Sequence, residues 1–420
     1  MERSKTKLVL IAYLFGMVLI HAAVFWQARK LVRKGYPDFT IYYGAATMLR
    51  WGLGHELYNG VVQFNVQRQF APDVATRLDA LPYNHPPFEA LFFVPFTYLP
   101  YFPAFVLWEL VNVSVLVAIP LLLRRHVPQL REYSWPLWIL ASLAFFPIFF
   151  ALLQGQDSIL LLLLYTLAFS CLKRNAQATA GACLAIGLFK PQMILPFVLL
   201  WMIRSGRRIL YGFVPTGAVL VLVSCALVGT AGMISYPAYV LRLENTMARG
   251  AILPSDMPNL RGVTYLLTRG SPRSGAIAIV LSCAILLLVA WQLRMKESTT
   301  DYFLWKFVST MITTALVSYH CLGYDLSILL LPIALIVSNL QPAKVITTWP
   351  WRLMLSGIGL LFFSPLELFL LLRGNRLAVM GCAVLLLFAG VTWICFALGS
   401  DDSPAAVSGF SARSPIASRS

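Results

Sequence analysis

The sequence is poor in charged residues. Asp, Glu, Lys and Arg make up 12% of its 420 residues, whereas a soluble domain averages roughly 25%. Hydrophobic residues make up 59% of the chain, and the mean hydropathy is +0.74. Too few polar side chains are present to cover a water-exposed surface of this size. The composition therefore excludes an ordinary soluble enzyme and indicates a protein whose main solvent is lipid.

Acidic residues are the scarcest charged class, with 17 Asp and Glu against 33 Lys and Arg and a net charge of +16. A balance this basic is also found in nucleic-acid-binding proteins. Here the cations occur in short clusters between apolar runs, where Lys and Arg set membrane topology and contact anionic lipid headgroups. No basic soluble domain is present, so we expect membrane lipids as partners and no nucleic acid.

Several sequence motifs of well-known enzymes are missing. The chain has no P-loop, no GxSxG, no HExxH, and no metal or disulfide spacing among its seven cysteines. ATP-driven transport, serine hydrolysis and zinc chemistry therefore have no support in the sequence.

Long apolar runs recur along the chain, and a helix needs about 20 apolar residues to cross a bilayer. The runs lie at 8–26, 86–123, 135–153, 157–172, 177–190, 191–203, 209–230, 275–293, 304–319, 324–339, 351–371 and 377–398. The run 86–123 is too long for one crossing, so it is either one full helix with a half-helix or two helices. Counted once, it gives an all-α polytopic bundle of about 12 transmembrane helices. We predict one domain over 1–398 and a disordered tail over 399–420.

Orientation follows from the short loops, because cytoplasmic loops carry an excess of Lys and Arg. Alternate connections are basic, which predicts two long outer loops at 27–85 and 231–274. The segment QARKLVRKG (27–35) disagrees, although long outer loops often escape the rule. The stretches FTIYYGAATMLRWG and VVQFNVQRQF in the first outer loop are amphipathic and suited to interfacial helices. We expect a multi-pass plasma-membrane protein with its polar site facing the periplasm or cell exterior.

Polar residues gather at the predicted outer face. Ionisable side chains within a membrane are expensive, so they are candidates for function. The candidates in outer loops or at outer helix ends are Asp38, Tyr42, Asn84, His85, Gln154, Gln156, Asp157, Lys190, Gln192, Arg261, His320 and Asp325.

Asp38 follows Pro37, which disfavours the α conformation at Tyr36. Asp38 is therefore either the N-cap of a helix that begins near Phe39 or a general base that meets an acceptor hydroxyl at the membrane surface. The sequence leaves both readings open. Asp157 in QGQDS is interpreted as a helix cap that leaves backbone amides for sugar hydroxyls.

Lys190 interrupts the apolar segment AIGLFKPQMILPF. It is either a snorkelling lysine or a phosphate ligand, and Arg261 is either a solvated loop residue or a second, bidentate phosphate donor. His320 lies five residues before Asp325, an acid that can fix the histidine tautomer.

The motifs DFTIYYGAATML, YNHPPFEALFFVPFTYLPYFPAFVLWELVN, GQDSILLLLL, GLFKPQMILPFVLL and SYHCLGYDLSILLLP occur in this order over residues 36–340. Together they resemble glycosyltransferase family 87, a family of the GT-C superfamily that includes polyprenyl-phosphate-mannose-dependent α-mannosyltransferases. The resemblance implies a GT-C-like fold and transfer of a hexose such as mannose, with inversion, from a polyprenyl-phosphate-linked donor to a lipid or glycan acceptor.

In that family an Asp in the first outer loop and a His before a late YD pair are catalytic, and these match Asp38 and His320. Lys190 matches a KPQ motif, and we expect it to bind the donor phosphate together with Arg261. The polar residues expected to bind substrate are Tyr42, Asn84, His85, Gln154, Gln156, Gln192 and Asp325. No metal and no cofactor are expected, since side-chain cations can neutralise a monophosphate.

The competing interpretation is a secondary transporter or flippase of a lipid-linked or small polar substrate. Transporters often show internal repeats and paired broken helices around a site in the middle of the membrane. This sequence shows no repeat and places its polar motifs at one face. Composition and spacing alone leave the two interpretations nearly level, and it is the family resemblance that favours the transferase.

Overall fold

The structure is a computed structural model that describes residues 2–71, 80–245, 253–295, 302–340, 348–374 and 376–399. All regular secondary structure within these ranges is helical, which confirms the predicted all-α class. The predicted disordered tail falls outside the described residues, except for Gly399 at the end of the last helix.

The described α-helices are numbered here in chain order. They are α1 Glu2–Arg33, α2 Phe39–Arg50, α3 Gly60–Gln67, α4 Pro87–Phe93, α5 Tyr101–Arg124, α6 Trp135–Ala144, α7 Phe146–Gln154, α8 Ser158–Lys173, α9 Gln177–Ile186, α10 Pro191–Ser205, α11 Leu210–Asn245, α12 Leu260–Leu267, α13 Ser274–Arg294, α14 Tyr302–Val317, α15 Leu330–Ser338, α16 Trp349–Leu361, α17 Ser364–Leu372 and α18 Gly381–Gly399. Short 3-10 helices lie at Gly54–Glu56, Val94–Tyr98, Pro128–Glu132, Gly187–Phe189, Gly206–Ile209, Pro254–Asp256, Gly323–Leu329 and Leu377–Met380.

Five helical segments of the described chain are long and apolar enough to cross a membrane. They are Lys5–Arg33, Tyr101–Arg124, Pro191–Leu243, Ser274–Arg294 and Leu377–Gly399. The number rises to seven if two bent pairs each count as one span: α6 with α7, bent by 70°, and α16 with α17, bent by 57°. The chain is therefore a multi-pass membrane protein. The predicted count of about 12 is not confirmed, because the other apolar helices have only 10–17 residues.

The first predicted outer loop, 27–85, is more helical and more buried than the sequence suggests. Helix α1 runs on to Arg33, and nine of the twelve residues of α2 are buried. Its small residues Gly44, Ala45 and Ala46 let α2 approach its neighbours closely, and α2 packs against α3 and α4. An interfacial position for the helices of this loop is not confirmed.

The second predicted outer loop, 231–274, is shortened by α11, which continues to Asn245 across a break at Gly229 (φ 76°). The part of α11 after this break includes the largely apolar sequence MISYPAYVL (233–241). The run 86–123 forms the short helix α4, a 3-10 turn and the 24-residue helix α5. This matches the alternative in which one full helix follows a shorter one.

Two apolar cores form most of the interior. The larger contains residues of α8, α10, α14, α15 and α18, and the smaller contains residues of α2, α4 and α5. A group of buried polar residues joins the two cores where α2 meets the turn between α7 and α8. The fold thus holds polar side chains from distant parts of the sequence in one place.

Candidate active site

Asp38 occupies the N-cap position of α2, but its side chain makes no capping hydrogen bond. Oδ2 instead accepts a hydrogen bond from Gln156 Nε2 at 2.6 Å. The hydroxyl of Tyr324 is a second hydrogen-bond partner of the carboxylate. The backbone N–H of Asp38 donates to Gln154 Oε1 at 3.2 Å. The interpretation of the Asp38 side chain as a helix cap is thus wrong. The side chain is held instead by residues over 100 positions away in the sequence.

The QGQD turn brings these glutamines to Asp38. Helix α7 ends at Gln154, and Gly155 adopts the left-handed conformation with φ 65°. A Cβ on Gly155 would lie 2.7 Å from the Cβ of Phe39, so the turn packs directly against the start of α2. Trp108 Nε1 donates to the Gly155 carbonyl at 3.0 Å and ties the turn to α5.

Lys190 lies between the 3-10 helix Gly187–Phe189 and α10, where Pro191 occupies the first position. Its Nζ lies 2.8 Å from Asp157 Oδ1 and 2.6 Å from Asp325 Oδ1. It also donates to Ser158 Oγ at 2.7 Å and to Gln156 Oε1 at 3.3 Å. The side chain is buried. With two carboxylates and two further oxygens around three N–H groups, Lys190 has no donor left for a phosphate.

Asp157 also fails to cap a helix. It stands at the N-cap of α8 without a capping hydrogen bond, because its carboxylate pairs with Lys190. Asp325 Oδ1 also accepts from Ser158 Oγ at 3.1 Å, and Oδ2 accepts from the Leu322 N–H at 2.8 Å. These contacts fix the turn before α8 and the segment Gly323–Leu329 to each other.

We call the connected residues the Asp38 cluster. Its members share hydrogen bonds or ion pairs and come from four segments: Asp38, Tyr42, Gln156, Asp157, Ser158, Lys190, Tyr324 and Asp325.

His85 and Glu89 adjoin this cluster. His85 packs edge-on to Tyr42 with ring centroids 5.2 Å apart, and its Nδ1 lies 2.9 Å from Glu89 Oε2. Tyr42 donates to Gln156 Oε1 at 2.7 Å. A ring nitrogen of His85 and carboxylate oxygens of Glu89 and Asp157 lie within 4.8 Å of one another, a spacing that a metal ion can bridge.

The other predicted site residues lie around the cluster. Asn84 and Gln192 are half-buried, and the Asn84 carbonyl accepts from Tyr236. Arg261 donates to the Tyr319 carbonyl at 3.1 Å, and its guanidinium lies 4.0 Å from the centre of the Tyr319 ring. Arg261 is therefore packed on the segment that carries the half-buried His320. His320 lies within electrostatic reach of His85.

The surroundings of Asp38 and His85 shift the pKa values of both side chains. Burial raises the pKa of Asp38, although its hydrogen bonds to Gln156 and Tyr324 and the charge of Lys190 act in the opposite direction. Burial also lowers the pKa of His85 to about 4. At neutral pH His85 is therefore an uncharged imidazole, and Asp38 is a stronger base than an exposed Asp.

Three residues of the site were not among the candidates from the sequence: Glu89, Ser158 and Tyr324. Asp157 was a candidate, but only as a helix cap. Signals for them existed. Glu89 is four positions after His85 on one helical face, Asp157 and Ser158 belong to the QGQDS motif, and Tyr324 precedes Asp325.

Comparison with known proteins supports an enzyme of sugar transfer. The family model of glycosyltransferase family 87 matches residues 83–318. This range contains the QGQD turn and Lys190 but not Asp38, Tyr324 or Asp325. No curated protein and no solved structure matches the chain. Because the family match covers more than half of the sequence, the chain belongs to glycosyltransferase family 87.

Proposed function

We propose that the chain transfers a hexose, with mannose as the first candidate, from a polyprenyl-phosphate-linked donor to a lipid or glycan acceptor. In this reaction Asp38 takes the proton of the acceptor hydroxyl, whose oxygen attacks the anomeric carbon. The bond from that carbon to the phosphate oxygen breaks, and polyprenyl phosphate leaves. Attack opposite to the leaving group inverts the anomeric carbon.

The observation that carries the proposal is the setting of Asp38. A carboxylate at a helix start normally caps the helix, yet this one is turned to Gln156 and Tyr324. A base must be oriented and must have a pKa suited to its task. The two hydrogen bonds supply the orientation, and burial raises the pKa.

The leaving group needs positive charge beside the phosphate. Lys190 was predicted for this role, but its contacts with Asp157 and Asp325 favour a different one. We assign Lys190 to positioning of the Asp38 cluster. Arg261, which donates to the Tyr319 carbonyl, and His320, the residue after Tyr319, are the proposed phosphate-side groups. We propose that Asn84, His85, Gln154 and Gln192, which are all half-buried, contact the sugar.

The alternation of basic connections supports an orientation in which the Asp38 cluster faces the periplasm or cell exterior in a plasma membrane. The polyprenyl chain would then lie among the apolar helices, since its donor is itself a membrane lipid. A crossing count of about 12 requires the shorter apolar helices to cross as well.

The test uses purified protein in lipid nanodiscs, radiolabelled polyprenyl-phosphate-mannose and mixed lipid acceptors. Asp38→Asn is expected to lower label transfer about 10²- to 10⁴-fold, the usual contribution of a general base. Glu367→Gln removes a buried carboxylate elsewhere in the chain, in α17, and is the control that retains transfer. Equal transfer by wild type and Asp38→Asn would remove Asp38 from the base role. Solute uptake into liposomes without any label transfer would support a transporter instead.

A further inference from the structure

The Asp38 cluster and its neighbour Glu89 carry more negative than positive charge. Four carboxyl groups, of Asp38, Glu89, Asp157 and Asp325, lie around one ammonium group, that of Lys190. If all four are ionised, three negative charges remain unbalanced. Burying uncompensated charge is very unfavourable, and an anionic donor phosphate would be repelled from such a site. The charges therefore require a positive partner or added protons.

The excess charge is concentrated where Glu89 meets Asp157. Both residues are at most 1% exposed, and a carboxyl oxygen of one lies within 4.8 Å of a carboxyl oxygen of the other. Lys190 contacts Oδ1 of Asp157. Oε1 of Glu89 and Oδ2 of Asp157 are buried and receive no hydrogen bond from any residue that the structure describes. Two carboxylates this close must share a proton or a cation.

His85 distinguishes these two possibilities. Its ring nitrogen converges with the oxygens of Glu89 and Asp157 within 4.8 Å. Its Nδ1 is 2.9 Å from Glu89 Oε2, which is close to the roughly 3 Å between adjacent ligands of a six-coordinate ion with bonds of about 2.1 Å. A proton can join only two of these groups, whereas a metal ion can join all three. A neutral imidazole ring nitrogen offers the lone pair that a metal requires.

We propose that His85, Glu89 and Asp157 bind one divalent cation. A single imidazole with two carboxylates is a ligand set suited to Mn²⁺ or Zn²⁺. The ion would hold α4 to the turn before α8 and leave one unbalanced negative charge in place of three. The effect of the ion on catalysis rests on the proposed function. Because the cluster would be less negative with the ion bound, it would repel the donor phosphate less.

The first measurement is metal content and Mn²⁺ binding of the full-length, tag-free protein in nanodiscs, without any substrate. Plasma emission spectrometry gives the metal retained after purification, and electron paramagnetic resonance of free Mn²⁺ gives its Kd. We expect one ion per chain, a lower unfolding temperature in EDTA, and recovery on adding Mn²⁺. Glu89→Gln should weaken Mn²⁺ binding about 100-fold or more, since even partners of metal ligands contribute 10- to 100-fold. Glu367→Gln should bind Mn²⁺ like wild type.

If Glu89→Gln does not fold, His85→Gln, which changes a half-buried ligand, gives the same readout. The proposal is overturned if wild type retains no metal and Mn²⁺ leaves its unfolding temperature unchanged. An unchanged or higher unfolding temperature of metal-free Glu89→Gln would then identify a shared proton between Glu89 and Asp157. Transfer that persists in EDTA, with no bound metal, would overturn the cation site and leave the proposed function intact. Metal binding without sugar transfer would support the cation site and overturn the proposed function.

Discussion

Lys190→Met tests whether the lysine holds the site together or binds phosphate. Methionine keeps much of the side-chain length but removes the ammonium from Asp157 and Asp325, both of which are nearly fully buried. Removal of one partner from a buried ion pair costs about 3–5 kcal/mol, because the other charge is left uncompensated. We expect the free energy of unfolding to fall by about that amount.

The assay is equilibrium unfolding in mixed detergent and SDS micelles, followed by tryptophan fluorescence. A double variant provides a second comparison in the same assay. Asp325→Asn added to Lys190→Met removes one of the two stranded carboxylates, so the double variant should be more stable than Lys190→Met alone. A phosphate ligand would behave differently, because its loss would raise the KM for the donor and leave stability nearly unchanged. An unfolding free energy for Lys190→Met within about 0.5 kcal/mol of wild type, as for ordinary surface changes, would refute the positioning role.

Two further predictions concern the start of α2. Asp38 acts as a base only when it is ionised, and burial raises its pKa. We therefore expect kcat to fall as the pH drops through a value above the usual Asp pKa of about 3.9. A kcat of the wild type that does not change between about pH 4 and 7 would contradict this. Gly155→Ala should destabilise the protein by about 1–3 kcal/mol and slow transfer at least about tenfold, because the added Cβ meets Phe39 and moves both glutamines that hold Asp38. Gly52→Ala, with φ 75° but open space around it, is its control in the same unfolding and transfer assays, and equal effects of the two changes would show that backbone strain alone is responsible.

The membrane character and the position of the polar motifs were readable from the sequence. Hydropathy is a property of contiguous residues, so helices such as α5 and α13 are visible in the apolar runs. The segments of Asp38, QGQD, KPQ and YD were also identifiable, because polar residues are rare in such a chain. The structure brings side chains from all four into one cluster.

The partners within the cluster were not predictable from spacing. Lys190 pairs with Asp325, 135 positions later, and with Asp157, 33 positions earlier. No helical or strand period relates such positions, so a lone lysine in an apolar run looks the same whether it binds phosphate or carboxylate. Local rules also offered a helix cap as one reading of Asp38 and indicated one at Asp157. Neither side chain makes a capping hydrogen bond, because hydrogen bonds and an ion pair to distant residues hold both carboxylates.

The sequence also did not predict where some helices end. Hydropathy sums over a window and does not register a bend, so the 70° bend between α6 and α7 and the 57° bend between α16 and α17 are hidden within single apolar runs. Amphipathic character in the first outer loop suggested interfacial helices, yet α2 is buried on most of its surface. Its polar residues face other protein segments: Thr40 meets Tyr101, and Tyr42 meets Gln156.

The most direct test of the account is an experimental structure of the protein with a non-cleavable phosphonate analogue of the polyprenyl-phosphate sugar. The account predicts a sugar ring beside Asp38 and Gln156, with the phosphonate toward Arg261 and His320 and the prenyl chain among the apolar helices. A sugar bound away from Asp38, or a phosphonate in direct contact with Lys190 after release of Asp157 and Asp325, would contradict it.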